Sequence, residues 1–186
     1  MASPLLVLDS ISVSLGGSPI VRGLSLELGS SEVIALLGPS GCGKTTTLRA
    51  IAGLEPLTAG SIHYEGRDLA EVPTEQRNIG MVFQEGALFP HLDVRRNLGF
   101  GLGHLPSAER AARVDELLDL LRIGELSDRA IHQLSGGQRQ RVALGRAMAR
   151  SPHLILLDEP FGSLYGALKR ELRPQVLELL KQAGIA

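Results

Sequence analysis

The segment Leu36-Leu37-Gly38-Pro39-Ser40-Gly41-Cys42-Gly43-Lys44-Thr45-Thr46 sets a glycine-rich turn between an apolar run and a helix-forming run. The apolar run, residues 33–37, predicts a buried strand, and residues 44–54 predict a helix. Between them stands the pattern G-x-x-x-x-G-K-[ST] in the strand–loop–helix setting in which it binds phosphate. Glycines let the backbone curl so that successive N–H groups point inward at phosphate oxygens. The first turn of the helix adds unpaired N–H groups and the positive end of its dipole. Lys44 then reaches the outer phosphates, and the Thr45 hydroxyl becomes a magnesium ligand. At average residue frequencies a chain of this length spells the pattern by chance on the order of one time in a hundred.

Composition narrows the rest. The chain has 186 residues, enough for one substantial core or a core with a small lobe. It is 44% hydrophobic and 21% charged with a formal net charge of -1, which gives no general pull toward nucleic acid or an anionic membrane. Aromatic residues make up 3%, too few for base-stacking platforms, so no nucleic-acid partner is expected. The single cysteine, Cys42, forms no internal disulfide, fits a reducing compartment and reads as a small filler of the tight loop. No apolar run approaches the roughly 20 residues that cross a bilayer, and the N-terminus lacks the basic flank of a secretory signal. A cytoplasmic chain that reaches a membrane only through a partner is the expectation.

Along the chain, residues 5–8, 11–13 and 20–28 read as short strand pieces, with a turn at Gly16-Gly17-Ser18-Pro19. They predict an antiparallel β layer beside the phosphate-loop strand, to which residues 61–64 return. His63 reads as a solvated strand residue, since no second ligand lies at metal spacing. Residues 78–83 form another strand candidate, ending at Gln84. Ser107 is placed to cap a helix carrying Val114, Leu117, Leu118 and Leu121 on one face, with Gly124 closing it. Leu134-Ser135-Gly136-Gly137-Gln138 then runs into a helix dotted with Arg139, Arg141, Arg146 and Arg150, which read mostly as a solvated face. A serine hydroxyl and bare backbone N–H groups at that helix start make a second anion-binding site. Residues 154–157 are continuously apolar, as in a parallel strand buried on both faces, and end in Asp158 and Glu159, where such sheets bind ligands. Residues 164–183 predict an amphipathic helix facing the core through Leu164, Leu168, Leu172, Val176, Leu179 and Leu180, with a kink at Pro174.

The order phosphate loop, Gln84, Leu134 to Gln138, Asp158-Glu159 resembles the ATP-binding cassette (ABC) ATPases across nearly the whole chain. The resemblance implies an α/β fold, a P-loop NTPase core with an antiparallel β layer and an inserted helical lobe. Residues 1–84 and 153–186 would form the core and residues 85–152 the signature lobe. It implies ATP and Mg2+ as ligands, held by Gly38, Pro39, Ser40, Gly41, Cys42, Gly43, Lys44, Thr45 and Thr46. Two cassettes meet head to tail, so Ser135, Gly136, Gly137 and Gln138 of one close on the nucleotide of the other. Asp158, Thr45 and Gln84 would serve magnesium, Gln84 would sense the γ-phosphate, and Glu159 would polarise the attacking water. The chemistry is phosphoryl transfer to water, driven by positioning and charge neutralisation.

Within the family, residues 84–92 together with 96–102 look most like the ATPase subunits of ferric-iron importers and their relatives for sulfate, spermidine or sugars. That implies an integral-membrane permease as partner, a periplasmic or extracellular solute-binding protein indirectly, and a place on the cytoplasmic face of the inner membrane. Residues 84–92 look like the groove that receives a permease helix, or equally like lobe core. Leu15 stands where the family carries an adenine-stacking aromatic, and Tyr165 where it carries an interface aspartate. The family continues past Ala186 into a central strand and a switch histidine. The resemblance therefore implies a cassette lacking its C-terminal strands, with little or no turnover. Competing readings are a non-hydrolysing nucleotide-binding remnant and a non-transport ABC ATPase of DNA repair or the ribosome. A soluble nucleotide kinase has no need of Leu134 to Gln138. Repair members carry long coiled coils, and residues 85–133 hold no heptads.

Overall fold

Gly16 and Gly17 carry φ of 56° and 80°, the two left-handed positions of the tightest hairpin turn. They join β1 (Leu6–Leu15) to β2 (Ser18–Leu28), with Leu15 opposite Ser18. The computed structural model describes residues 3–84, 86–160 and 166–186, in two compact units, Met1–Ile79 with Gly184–Ala186 and Gly80–Ala183.

In the first unit, β3 (Ala59–Tyr64) pairs antiparallel with β1, and β4 (Arg67–Asp68) returns through Glu65 and Gly66, giving the order β2-β1-β3-β4. This is the expected antiparallel layer, but residues 5–8 and 11–13 are not separate pieces. Leu6 and Leu8, then Ile11 and Val13, are buried, so the period of two slips by one residue between them. A bulge absorbs the slip: Ser10 sits at φ 49°, and the register shifts on both sides of it. Gly60 lies against this bulge, where a Cβ would run into the Asp9 and Ser10 carbonyl oxygens. Only glycine permits so close an approach.

The phosphate-loop helix is α1 (Lys44–Ala52), buried through Thr46, Thr47, Ala50, Ile51 and Ala52. Arg77 closes its far end, donating to the Ala50 and Ile51 carbonyls at 3.2 and 2.9 Å and to those of Val72 and Leu69 at 2.9 and 3.0 Å. Burial holds its guanidinium pKa below the ordinary value. The buried strand expected at residues 33–37 is not formed: these residues pair with none of the described strands. Val33 is 59% and Leu37 91% exposed. Apolar composition favours burial, but a strand exists only where a neighbour's backbone completes the ladder.

In the second unit, β5 (Gly80–Val82) and β6 (Ile155–Leu157) pair in parallel, with Val82 opposite Leu157. Around them lie α2 (Val94–Gly99), α3 (Ser107–Leu120), α4 (Gly136–Met148) and α5 (Gly166–Gln182). Leu98, Leu117, Leu121, Leu144 and Met148 are almost wholly buried and form much of its core. Gly80 passes so close to α4 that a Cβ would lie 2.8 Å from the Ala147 carbonyl oxygen. Ser107 is the first residue of α3 and not its cap, because Pro106 holds the N-cap position. That helix ends before Gly124, through Arg122 at φ 55°. Pro174 lies within α5, Val176 and Leu180 are buried, and Leu179 is half-buried. Leu164 and Tyr165, and the side chains of Leu168 and Leu172, lie outside what is described. Among the described residues no helix is long and apolar enough to cross a membrane.

Candidate nucleotide-binding site

In the first unit, Gly43 at φ 97° turns the chain into α1, and Gly41 at φ 82° precedes it. A Cβ on Gly43 would sit 3.2 Å from the Ile20 carbonyl oxygen, and one on Gly38 would sit 2.6 Å from Cys42 Sγ. The loop is therefore crowded at Gly43 by β2 and at Gly38 by the Cys42 side chain, whereas a Cβ on Gly41 would meet nothing within 4 Å and only its φ favours glycine. No side chain caps α1, and its first turn holds no acidic residue, so its positive end is open to an anion. Lys44 folds back over the loop, and its Nζ donates to the Gly38 and Pro39 carbonyls at 2.9 Å each. Lys44 is half-buried, but its ammonium bonds to the loop carbonyls are exposed, so a phosphate can take over those donors. Pro39, Ser40, Gly41 and Cys42 are exposed, Thr45 is half-buried, and Thr46 is buried in the helix. Leu15, at the end of β1, is 39% exposed.

In the second unit, β5 and β6 end side by side, Val82 opposite Leu157, so that Gln84 and the pair Asp158 and Glu159 follow the same end of the sheet. The Asp158 N–H donates to the Val82 carbonyl at 2.9 Å, and its side chain is 5% exposed. Glu159 is exposed with φ 45°, a left-handed conformation that disfavours an ordinary side chain. Gln84 is exposed two residues past Val82. Among the described residues no cluster of three His, Cys, Asp or Glu side chains forms a metal cage. Within this unit the Gln84 amide oxygen and the Asp158 carboxylate are hard oxygen donors of the kind magnesium takes when phosphates and water complete its shell.

Ser135 is the N-cap of α4, and its pairing with Gln138 is reciprocal. The Ser135 hydroxyl accepts from the Gln138 N–H at 3.3 Å, while Gln138 Oε1 accepts from the Ser135 N–H at 2.8 Å. This is a capping box, legible as S-x-x-Q before a helix. Gly136 and Gly137 occupy the first turn, which again carries no acidic residue.

Sequence reasoning missed several polar anchors. Asn97, fully buried, accepts from the Phe89 N–H and donates to the Phe89, Leu92 and Asp93 carbonyls. Arg77 closes α1. Of the arginines read as a solvated face, Arg139 and Arg150 are exposed, but Arg141 and Arg146 are half-buried; Arg139 donates to the Leu134 carbonyl, Arg141 to the Leu121 carbonyl and to Gln175, and Arg146 to the Gly86 and Ala87 carbonyls. No helix is predicted over residues 94–99, so the sequence pattern gave no sign that Asn97 is buried in α2.

The sequence pattern of the ABC transporter family matches residues 21–162. The chain belongs to that family. This ABC chain is 47% identical over 185 residues to the putrescine transport ATP-binding protein PotG of Escherichia coli, covering 98% of the chain and 49% of PotG. It is 45% identical over 188 residues to the Fe(3+) ions import ATP-binding protein FbpC of Haemophilus influenzae, covering 98% of the chain and 54% of FbpC. It is also 45% identical over 185 residues to the spermidine/putrescine import ATP-binding protein PotA of Salmonella typhimurium, covering 98% and 49%. The chain thus spans about half the length of the curated relatives it matches. Its fold matches that of cbiO1 from Clostridium perfringens, part of the ABC transporter complex cbiONQ, at a TM-score of 0.89 and 28% identity, covering 99% of this chain and 76% of that one. The α/β cassette fold expected from the sequence is therefore the fold observed.

Proposed function

We propose that this chain is the ATP-binding and ATP-hydrolysing part of an importer's ATPase subunit, which drives solute uptake through an integral-membrane permease. The observation that carries the reading is the phosphate loop, an open helix start with Lys44 held reversibly on the Gly38 and Pro39 carbonyls. Residues 1–84 with 153–186 act as the nucleotide-binding core, and residues 85–152 as the signature lobe. In the reaction Lys44 exchanges its two carbonyls for the outer phosphate oxygens. Thr45, Gln84 and Asp158 are the oxygen donors for Mg2+, which when bound neutralises phosphate charge. Glu159 takes a proton from water as the new O–P bond forms, and the bridging bond breaks with its electron pair passing to ADP. Ser135, Gly136, Gly137 and Gln138 close on the nucleotide of a second cassette, head to tail. The subunit sits on the cytoplasmic face of the membrane through its permease, and a solute-binding protein acts indirectly. The names of the relatives make polyamines and ferric iron the solutes to test first.

One observation favours a second reading, a nucleotide-binding part with little turnover. Residues 33–37 root the phosphate loop, yet they lie outside the described strands with Leu37 91% exposed. A loop whose root is not held in a ladder binds phosphate but does not keep Lys44 within the fraction of an ångström that phosphoryl transfer needs. Calorimetry and phosphate release on the chain and its Glu159→Gln variant test both readings. Binding in both proteins, with turnover in the first lowered about 100-fold or more in the second, supports hydrolysis with Glu159 as base. Equal turnover removes Glu159 from the mechanism, binding without turnover supports the second reading, and no binding defeats both.

A further inference from the structure

Two residues beyond Gln84 the chain makes a turn that its sequence does not favour. Gly86 and Ala87 both lie in the left-handed region, at φ 71° and 46°. Glycine adopts that conformation freely, but alanine pays for its Cβ there. Ala87 is exposed, so no burial of its methyl compensates. The compensation comes from α4, where Arg146 Nη1 donates to the Ala87 carbonyl at 2.6 Å and Nη2 to the Gly86 carbonyl at 3.3 Å. The same guanidinium carbon stands 5.1 Å from the centroid of the Phe89 ring. Phe89 in turn packs on Phe100 with ring centroids 4.1 Å apart, and Asn97 grips its N–H and carbonyl. The planar fork of arginine fits two successive carbonyls and a ring face at once, a geometry lysine cannot copy. Burial lowers the Arg146 pKa from its ordinary value, yet its carbonyl partners accept from the charged form and the group stays a donor at neutral pH.

We infer that Arg146 is a positioning residue that holds the Gly86–Ala87 turn in its left-handed form, so that the segment leaving Gln84 and the helix begun by Ser135 answer to each other. The turn is a local two-state element: with the guanidinium in place the strained form is favoured, and without it the chain relaxes. Arg146 lies about ten residues along α4 from its capped start, and α4 is a rigid rod at this length. A displacement of the signature end is therefore carried to the carbonyls after Gln84 without any side chain touching nucleotide. The inference rests on the reading of Gln84 and of the signature given above, but the turn itself is testable without nucleotide.

Amide hydrogen exchange on the whole chain is the test. In Arg146→Ala the amides of Gly86, bonded to the Phe83 carbonyl, and of Phe89, bonded to Asn97, should exchange about tenfold faster or more. Amides in the middle of α4 and in β6 should change less than about twofold. Ala87→Gly added to Arg146→Ala should restore most of the lost protection, because glycine needs no help to hold the turn. A role in general packing would show no such rescue. Should Arg146→Ala unfold the chain, Ala87→Val makes the same measurement from the exposed side, since a β-branched residue in this region loosens the turn while Arg146 is intact. Unchanged exchange at Gly86 and Phe89 in either substituted chain, or loss spread evenly over the unit, overturns the inference. ATP with magnesium, added to the unsubstituted chain, tests the nucleotide reading separately. No change of exchange at residues 38–46 would defeat that reading and leave the result for the turn standing.

Discussion

The Asp158 N–H donates to the Val82 carbonyl at 2.9 Å, one step beyond the last ladder pair of β5 and β6. The bond carries the sheet past Leu157, buries the Asp158 carboxyl, and then releases the chain at Glu159, whose φ of 45° swings it into solvent. A buried acid is thus followed directly by a strained, exposed one, the contrast on which the proposed metal-holding role of Asp158 and water-activating role of Glu159 rest. The strain is the cost of that exposure.

Relief of this strain should stabilise the protein while abolishing its chemistry. Glu159→Gly is expected to raise the unfolding free energy by up to about 1 kcal/mol, read from the urea midpoint at constant m-value. Phosphate release should fall to background in the same variant. A destabilised Glu159→Gly would show that the side chain makes contacts that outweigh its backbone strain.

Lys44 is expected to carry much of the nucleotide affinity. Lys44→Ala removes the donor now resting on Gly38 and Pro39 and should weaken ATP binding at least about tenfold, the loss expected for a charge-assisted bond of roughly 1.5–3 kcal/mol. Lys181→Ala, an exposed change on α5, should leave affinity as it is. Equal affinities for the two variants in titration calorimetry would remove Lys44 from the site.

Ser135 caps α4, and the proposed anion site at the same helix start should be separable from that cap. Ser135→Ala should cost about 1 kcal/mol through the lost cap. Ser135→Asp should keep the cap and the stability, since a carboxylate suits a helix start, but repel phosphate. Thermal unfolding and ATP-dependent dimerisation, measured side by side, distinguish them: stability should fall only in the first, and dimerisation should be lost in the second.

Gly60→Ala should destabilise the β layer by about 2–4 kcal/mol, because the new Cβ meets two backbone oxygens at the β1 bulge and φ is +83°. Gly124→Ala, where a Cβ meets nothing within 4 Å, should change stability by less than about 0.5 kcal/mol. Chemical denaturation of the pair checks whether close approach, and not glycine content, sets the cost.

Much of the fold and site was legible because it depends on local chemistry. The phosphate loop needs glycines at fixed offsets before a helix, the turn at Gly16-Gly17 needs two left-handed residues, and S-x-x-Q before an apolar face is a helix start wherever it occurs. The apolar run at residues 154–157 announced a buried parallel strand, and β6 is one. The phase slip between Leu8 and Ile11 was also visible, although it reads as two strands until Gly60 is seen lying across the bulge.

Sequence by itself thus determined the glycine-rich start of α1, the capped start of α4, the acidic pair after β6 and the antiparallel layer, since each is built largely from neighbours along the chain. Tertiary structure alone decided which backbone groups found partners. Residues 33–37 have the composition of a strand but no ladder among the described residues, and Leu37 stands 91% exposed. Arg77, Asn97 and Arg146 have the composition of surface or helix residues, yet they close α1, grip Phe89 and hold the turn at Ala87. A side chain's type states how many hydrogen bonds it can make, and only the approach of distant backbone decides where they go.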